Sequence, residues 1–110
     1  MDSILTSIKK LLGIAEEYTI FDADIIMHIN STFMVLQQLG VGPPEGFYIE
    51  DTQAYWEDFI PDLERLRAVR TYMGLKVRLL FDPPSSTAVL GAYESMIKEY
   101  EWRLNVASES

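Results

Sequence analysis

The chain contains no cysteine, a single histidine and few cationic residues. Without cysteine, disulfide bonds and thiolate metal sites are excluded, and nothing indicates a disulfide-stabilised secreted protein. No run of apolar residues approaches the ~18 residues that a membrane-spanning helix requires. The first residues also lack the cationic start and unbroken apolar core of a signal peptide. We therefore expect a soluble protein that stays in the cytoplasm where it is made.

The charge balance is strongly acidic, with 17 Asp and Glu residues against 9 Lys and Arg residues and a net charge of −8. Proteins that bind nucleic acids generally need an excess of cationic side chains to neutralise phosphates. General nucleic-acid binding is therefore disfavoured, and acidity by itself indicates little more than solubility. The 110 residues are enough for one domain with a modest core, so we predict a single domain over residues 1–110.

Residue patterns that carry out catalysis or bind metals are scarce. His28 lies between Met27 and Ile29 in a helical pattern, which favours a position on a helix surface or at the edge of the core. No serine lies in a nucleophile-elbow sequence, and no glycine-rich loop resembles a phosphate-binding loop. The acidic residues around Asp22 do not have the spacing of a calcium-binding loop. We therefore expect no enzymatic activity, no cofactor and no metal site.

Apolar periodicity predicts a mainly α fold, a small bundle of three longer helices with additional short helices. The helices are expected at about 4–12, 22–39, 53–59, 63–81 and 88–106. Thr52 is expected to cap the short helix at 53–59, and Pro61 is expected where the next helix begins, a position at which its missing N–H costs nothing. The prolines and glycines of VGPPEG exclude helix at 41–46, and Phe47-Tyr48-Ile49 is a short β-like run. These features predict one extended loop or short β-like arm at 41–52.

The segment 63–81 is the most informative helix, because its apolar residues fall on two different sides. One stripe with core spacing is expected to pack inside the protomer; it contains Leu66, Val69, Met73, Val77 and Leu80. A second apolar group lies on another side; it contains Tyr72, Leu75 and Leu79. Two apolar faces indicate that the second one contacts something outside the protomer.

The same helix carries five of the nine cationic side chains of an acidic protein. Aromatic and arginine side chains are enriched at protein interfaces. We therefore predict a subunit interface; its candidate residues are Arg67, Arg70, Arg78, Tyr72, Leu75, Leu79, Tyr48 and Trp56. The alternative for the aromatic residues is that several of them fill the groove between the last two helices. The three arginines are expected to face Asp58, Asp62 or Glu64 of a neighbouring copy. Such head-to-tail contacts close into a ring when the rotation between copies allows it.

Several segments together resemble a known family of phage proteins. These segments are ILTSIKKLLGI, FDADIIMHINSTFMVLQQLGVGP, YWEDF, TYMGLKVRLLFDPPSS and IKEYEWRLNV. In this order they resemble the small helical head–tail connector proteins (neck adaptor or head-completion proteins) of tailed bacteriophages. The resemblance covers nearly the whole chain, and KVRLLFDPP and EWRLN are its most specific parts.

The resemblance implies a structural protein of the virion, located at the head–tail junction and made in the host cytoplasm. It implies a cyclic ring, usually of about twelve copies, that docks under the portal protein after DNA packaging. The ring would continue the channel through which DNA passes without sequence-specific binding, and would bind the next neck or tail protein. It also implies that the loop at 42–52 faces the channel or neighbouring components. The segment that engages the portal protein would include Trp102, Arg103, Leu104 and Val106.

Residues 105–110 are mostly small or polar, so we expect this tail to be mobile or to be ordered by a partner. Two other function classes remain open. A small acidic binding or regulatory protein, such as an inhibitor that mimics nucleic acid, would need acidic residues along one exposed face, whereas here they are dispersed. An enzyme subunit would need a polar pocket, which the sequence does not indicate.

Overall fold

A computed structural model describes the backbone of residues 3–109 and the side chains of residues 3–108. The described residues form five helices: α1 (Ile4–Leu11), α2 (Asp22–Gln38), α3 (Trp56–Phe59), α4 (Leu63–Phe81) and α5 (Thr87–Glu109). They contain no β-strand, and a single isolated bridge pairs Ser3 with Tyr55. The predicted mainly α fold is therefore confirmed. No helix within the described range is both long enough and apolar enough to cross a membrane.

Helix α4 begins and ends at the predicted residues. The Asp62 side chain caps it by accepting hydrogen bonds from the N–H groups of Glu64 and Arg65 at 3.0 and 3.4 Å. Such a cap satisfies main-chain donors that have no partner inside the helix. Pro61 was expected where this helix begins; it lies directly before the Asp62 cap and two residues before Leu63, the first helical residue.

Helix α3 is shorter than the predicted segment 53–59. It begins at Trp56, and the Tyr55 N–H donates a hydrogen bond to Asp58 Oδ2 at 2.9 Å. The helix therefore has Tyr55 at its N-cap position, three residues after Thr52, and the predicted capping role of Thr52 is wrong.

Helix α4 lies at the centre of the bundle, because it contacts each of the other four helices. Its predicted core stripe is buried at four of the five positions: Leu66, Val69, Met73 and Val77. The fifth position is wrong, since Leu80 is 45 % exposed. The neighbouring Phe81 turns toward α2 instead, and its ring lies 5.4 Å from the Phe21 ring and 6.4 Å from the His28 ring.

Helix α1 is buried from Ile4 to Lys9, and the Lys9 residue, with its ammonium group, is only 2 % exposed. Lys9 Nζ lies 2.8 Å from Asp22 Oδ1 and donates hydrogen bonds to the carbonyl oxygens of Glu16 and Tyr18, both at 2.8 Å. Burying a cation is costly unless its charge and its donors are matched, as they are here. The lysine thereby holds the connection between α1 and α2 in place.

The segment 41–52 is an extended loop that is fastened to α2 and α3. Asn30 of α2 accepts a hydrogen bond from the Ile49 N–H at 2.8 Å and donates one to the Ile49 carbonyl oxygen at 2.9 Å. The rings of Phe33, Phe47 and Phe59 pack together with centroids 4.8–5.4 Å apart. These contacts give the loop a fixed conformation without any strand pairing.

Helix α5 continues three residues beyond the predicted end near Val106. Asn105 Nδ2 and Ser108 Oγ donate hydrogen bonds to the carbonyl oxygen of Leu39, at 3.2 and 2.8 Å. The last carbonyl groups of a helix lack partners inside it, which leaves the end of α2 able to accept these bonds. The start of the tail therefore has contacts within its own protomer that the sequence did not indicate. Whether a partner orders the tail stays a prediction, and residue 110 lies outside the described residues.

Candidate interaction surface

A groove of about 480 Å³ runs along one face of α4, and we call it the basic groove. Helix α4 forms its floor, the end of α1 forms one wall and the first half of α5 forms the other. Its lining residues are Leu11, Arg67, Arg70, Thr71, Gly74, Leu75, Arg78 and Tyr93.

The local sequence explains why the groove lies here. Its α4 residues recur every three or four positions, a spacing that places side chains on one face of a helix. Gly74 lies in the middle of this face, and a Cβ atom there would come within 2.9 Å of Leu11 Cδ1. Glycine inside a helix costs roughly 0.5–1 kcal/mol relative to alanine, and an alanine at position 74 would require only the end of the Leu11 side chain to move.

The three arginines of the basic groove have different surroundings. The Arg70 guanidinium carbon lies 5.6 Å from the centre of the Trp56 ring, a cation–π distance. Arg78 Nε donates a hydrogen bond to the Asp82 carbonyl oxygen at 2.7 Å and lies 3.9 Å from Asp82 Oδ2. The Arg67 side chain is exposed and forms no hydrogen bond or ion pair with any of residues 3–108. A cationic rim over an apolar floor suits a partner that carries both acidic and apolar side chains.

The structure brings together four of the predicted interface residues, Arg67, Arg70, Leu75 and Arg78, in the basic groove. Tyr48 is 68 % exposed on the 41–52 loop, and Leu79 is half-buried against the core.

Trp56 and Tyr72 are fully buried in the protomer, which corrects their prediction as interface residues. Trp56 Nε1 donates to Ser7 Oγ at 2.9 Å, and the Tyr72 hydroxyl donates to Glu101 Oε2 at 2.7 Å. Burial raises the pKa of Tyr72, and the hydrogen bond to the Glu101 carboxylate raises it further. Helix α5 therefore covers this part of the second apolar face of α4, which is not free for another subunit.

The comparison with known proteins identifies the family. Residues 4–110 match the family described as phage connector protein. The chain belongs to the phage connector family. This family is structural and typically non-enzymatic, and membership supports a head–tail connector role in the virion, in assembly with other phage head and tail proteins. Neither the curated proteins nor the solved structures include a match to this connector.

The predicted portal-contact residues of the connector separate into two groups. Trp102 is 67 % exposed, and Arg103 and Val106 are also exposed on the outer side of α5. Arg103 Nη2 donates to Glu99 Oε1 at 2.7 Å, one turn earlier on the same helix. Leu104 is instead 3 % exposed in the protomer core, so its predicted role as a surface anchor is corrected.

A second groove of the connector, of about 550 Å³, includes the one histidine. His28 is half-buried there beside Phe81, at the edge of the core as the sequence suggested. Within the described residues, no three or more histidine, aspartate or glutamate side chains gather closely enough to hold a metal ion.

Sequence reasoning missed the parts of the basic groove that other helices contribute. Leu11 of α1 and Tyr93 of α5 line the groove but are not among the predicted interface residues. A glycine inside a long helix was no dependable signal, because Gly74 in α4 lies beside Leu11 whereas Gly91 in α5 has no atom within 4 Å of where its Cβ would lie.

Proposed function

We propose that this connector forms a cyclic ring under the portal protein, completes the packaged head, continues the DNA channel and joins the head to the tail. The observation that carries the proposal is the family match over residues 4–110, which includes all five helices. The ring would contain about twelve copies related by rotation. Its neighbours would be the portal protein above and the next neck or tail-completion protein below.

The charge of the chain supports a channel through which DNA moves freely. A protein that neutralises many phosphates binds DNA tightly, because each contact releases condensed counterions. This connector has a net charge of −8, and three of its arginines are gathered in one groove rather than spread over the surface. A ring with such a charge would repel or only weakly contact the phosphates of DNA that passes through it.

The outer side of α5 supports the predicted contact with the portal protein. Trp102 and Val106 are four residues apart on one helix, so their exposed side chains are neighbours. Large exposed aromatic side chains are typical anchors of protein interfaces. We propose that Trp102, Arg103 and Val106 contact the portal protein while Leu104 holds this part of α5 on the core.

The test is the assembly state of the purified protein, measured by size-exclusion chromatography with light scattering, alone and with isolated portal rings. We expect either a ring in both samples or a monomer that assembles on portal rings. A monomer or dimer that never associates with portal rings would overturn the proposal and would favour a small acidic regulatory protein.

The role of the tail is tested by deleting residues 105–110 and following head completion and tail joining. Because this deletion also removes the hydrogen bonds from Asn105 and Ser108 to Leu39, the stability of the truncated protein must be measured in parallel. Loss of portal attachment at unchanged stability would identify a docking element. Normal head completion and tail joining would show that the tail is only the end of α5.

A further inference from the structure

We propose that the basic groove of one copy binds the tip of the 45–51 loop of the neighbouring copy, with Tyr48 over the apolar floor and Glu45 and Glu50 beside the arginines. This inference rests on the proposed ring and adds which two surfaces meet within it.

The first support is the way in which the loop presents Tyr48. The residue before it, Phe47, packs against Phe33 and Phe59, and the residue after it, Ile49, is 2 % exposed and doubly hydrogen-bonded to Asn30. Tyr48 itself is 68 % exposed between these two anchored residues. An aromatic side chain on a fixed backbone loses little conformational freedom when it binds, which favours its use as a contact.

The second support is that the structure distinguishes among the acidic residues. Asp58 accepts the Tyr55 N–H, and Asp62 caps α4, so both carboxylates are already engaged inside the protomer. Glu45 and Glu50 are exposed, and no hydrogen bond or ion pair joins their side chains to any of residues 3–108. Two carboxylates that are available to a neighbour's arginines therefore flank Tyr48, whereas Glu64, which is also exposed and without such a partner, lies on α4, the helix that carries the arginines.

The third support is the composition of the groove. Its rim carries Arg67, which is exposed and has no partner among residues 3–108, so this cation is available to an incoming carboxylate. Leu11, which is 60 % exposed, forms an apolar surface in the groove together with Leu75 and Tyr93. An aromatic ring with an acidic residue on each side complements an apolar floor with a basic rim.

The fourth support is that the two surfaces belong to different elements. The groove is lined by α1, α4 and α5, whereas the loop is fastened to α2 and α3. When two copies meet through different surfaces, the groove of one copy and the loop of the other remain unoccupied. Such a heterologous contact continues from copy to copy and closes into a ring when the rotation allows it.

Disulfide cross-linking tests the geometry directly, because the native chain contains no cysteine. A variant with Asp51→Cys and Thr71→Cys, which keeps the Tyr48 ring and both glutamates, is expected to form disulfides between copies that produce a ladder of dimer, trimer and larger species on a non-reducing gel. Thiols cross-link only when their Cα atoms come within about 7 Å. The matched control pairs Asp51→Cys with Lys98→Cys, an exposed position on α5 outside the groove, and should give no ladder. Absence of the ladder, or products that stop at the dimer in both variants, would overturn the inference.

Charge exchange provides an independent test. Arg67→Glu and Glu50→Arg should each weaken assembly about tenfold or more, because each places like charges opposite each other. The double variant should recover most of the loss, whereas Lys98→Glu, with the same change in charge, should assemble as the wild type does. Wild-type assembly by both single variants would overturn the inference.

The experiments distinguish failure of the proposed ring from failure of the proposed contact between groove and loop. If the wild-type protein forms no ring even on portal rings, the proposed function itself is overturned. If the wild-type protein forms rings while the ladder and the charge effect are both absent, the ring remains and only the assignment of these two surfaces is overturned.

Discussion

The position of the 41–52 loop depends on one amide side chain. Asn30 exchanges two hydrogen bonds with the main chain of Ile49, at 2.8 and 2.9 Å, and Ile49 is buried. Alanine at position 30 leaves the Ile49 N–H and carbonyl group without these partners. Each hydrogen bond contributes about 0.5–1.5 kcal/mol, so Asn30→Ala is expected to lower the free energy of unfolding by about 1–3 kcal/mol. Since the same loop presents Tyr48, assembly should weaken as well.

The free energy is measured by urea unfolding followed by circular dichroism, and the loop is followed by amide hydrogen exchange at Ile49. Asn30→Asp keeps the acceptor of the Ile49 N–H but loses the donor to the carbonyl, so it tests the two bonds separately. Ser31→Ala, at the exposed neighbouring position, is the control and should change stability by less than ~0.5 kcal/mol. If Asn30→Ala is equally mild and Ile49 exchange is unchanged, the loop is held by other contacts and the reasoning is refuted.

Three further predictions concern stability. Gly42→Ala should lower the free energy of unfolding by about 2–4 kcal/mol, because Gly42 has φ of +89° and a Cβ there would overlap the Phe59 ring. Gly91→Ala is the control: no atom lies within 4 Å of a Cβ at this helical position, so the change should raise the free energy of unfolding by about 0.5–1 kcal/mol. In urea unfolding, Met73→Ala should lower the free energy of unfolding by about 2–5 kcal/mol, because Met73 is buried, and Leu80→Ala should lower it by less than ~1 kcal/mol, because Leu80 is 45 % exposed. Equal losses would contradict this difference in burial. Burial and a hydrogen bond to a carboxylate raise the pKa of Tyr72 above its ordinary 10.0, so its contribution to stability is complete below pH 10.0 and declines above it. The Tyr72→Phe variant should not show this loss of stability above pH 10.0. The same loss in the variant would refute its assignment to Tyr72.

The longer helices were predictable because their signals are local. The apolar stripe of α4 and its Asp62 cap lie within the segment itself, and both ends of the helix were predicted at the observed residues. The start of the short helix α3 was not predictable, because a distant part of the chain determines the conformation of the residues before it. The Ile4 N–H donates to the Ala54 carbonyl oxygen at 3.0 Å, and Ser3 bridges to Tyr55, so the segment before Trp56 is held extended.

The basic groove was predictable only where one helix forms it. Spacing alone placed Arg67, Arg70 and Arg78 on one face of α4. It did not indicate which remaining face α5 would cover, so Trp56 and Tyr72 were predicted at a surface although they are buried. The packing of α1 and α5 against α4 involves residues far apart in the chain, and no local pattern reports it.

Helix α4 contributes both to the protein core and to the proposed contact between copies, and its three groove arginines differ in how far they also support the fold. Arg70 lies over the ring of the buried Trp56, so its replacement disturbs the core as well as the groove. Arg78 holds the Asp82 carbonyl oxygen at the end of the helix, so its replacement also affects that end. Arg67 has neither attachment among the described residues, and its guanidinium group faces solvent. A change at Arg67 is therefore expected to alter the rim of the groove while the fold stays intact, so any loss of assembly that follows would report on the proposed contact between copies.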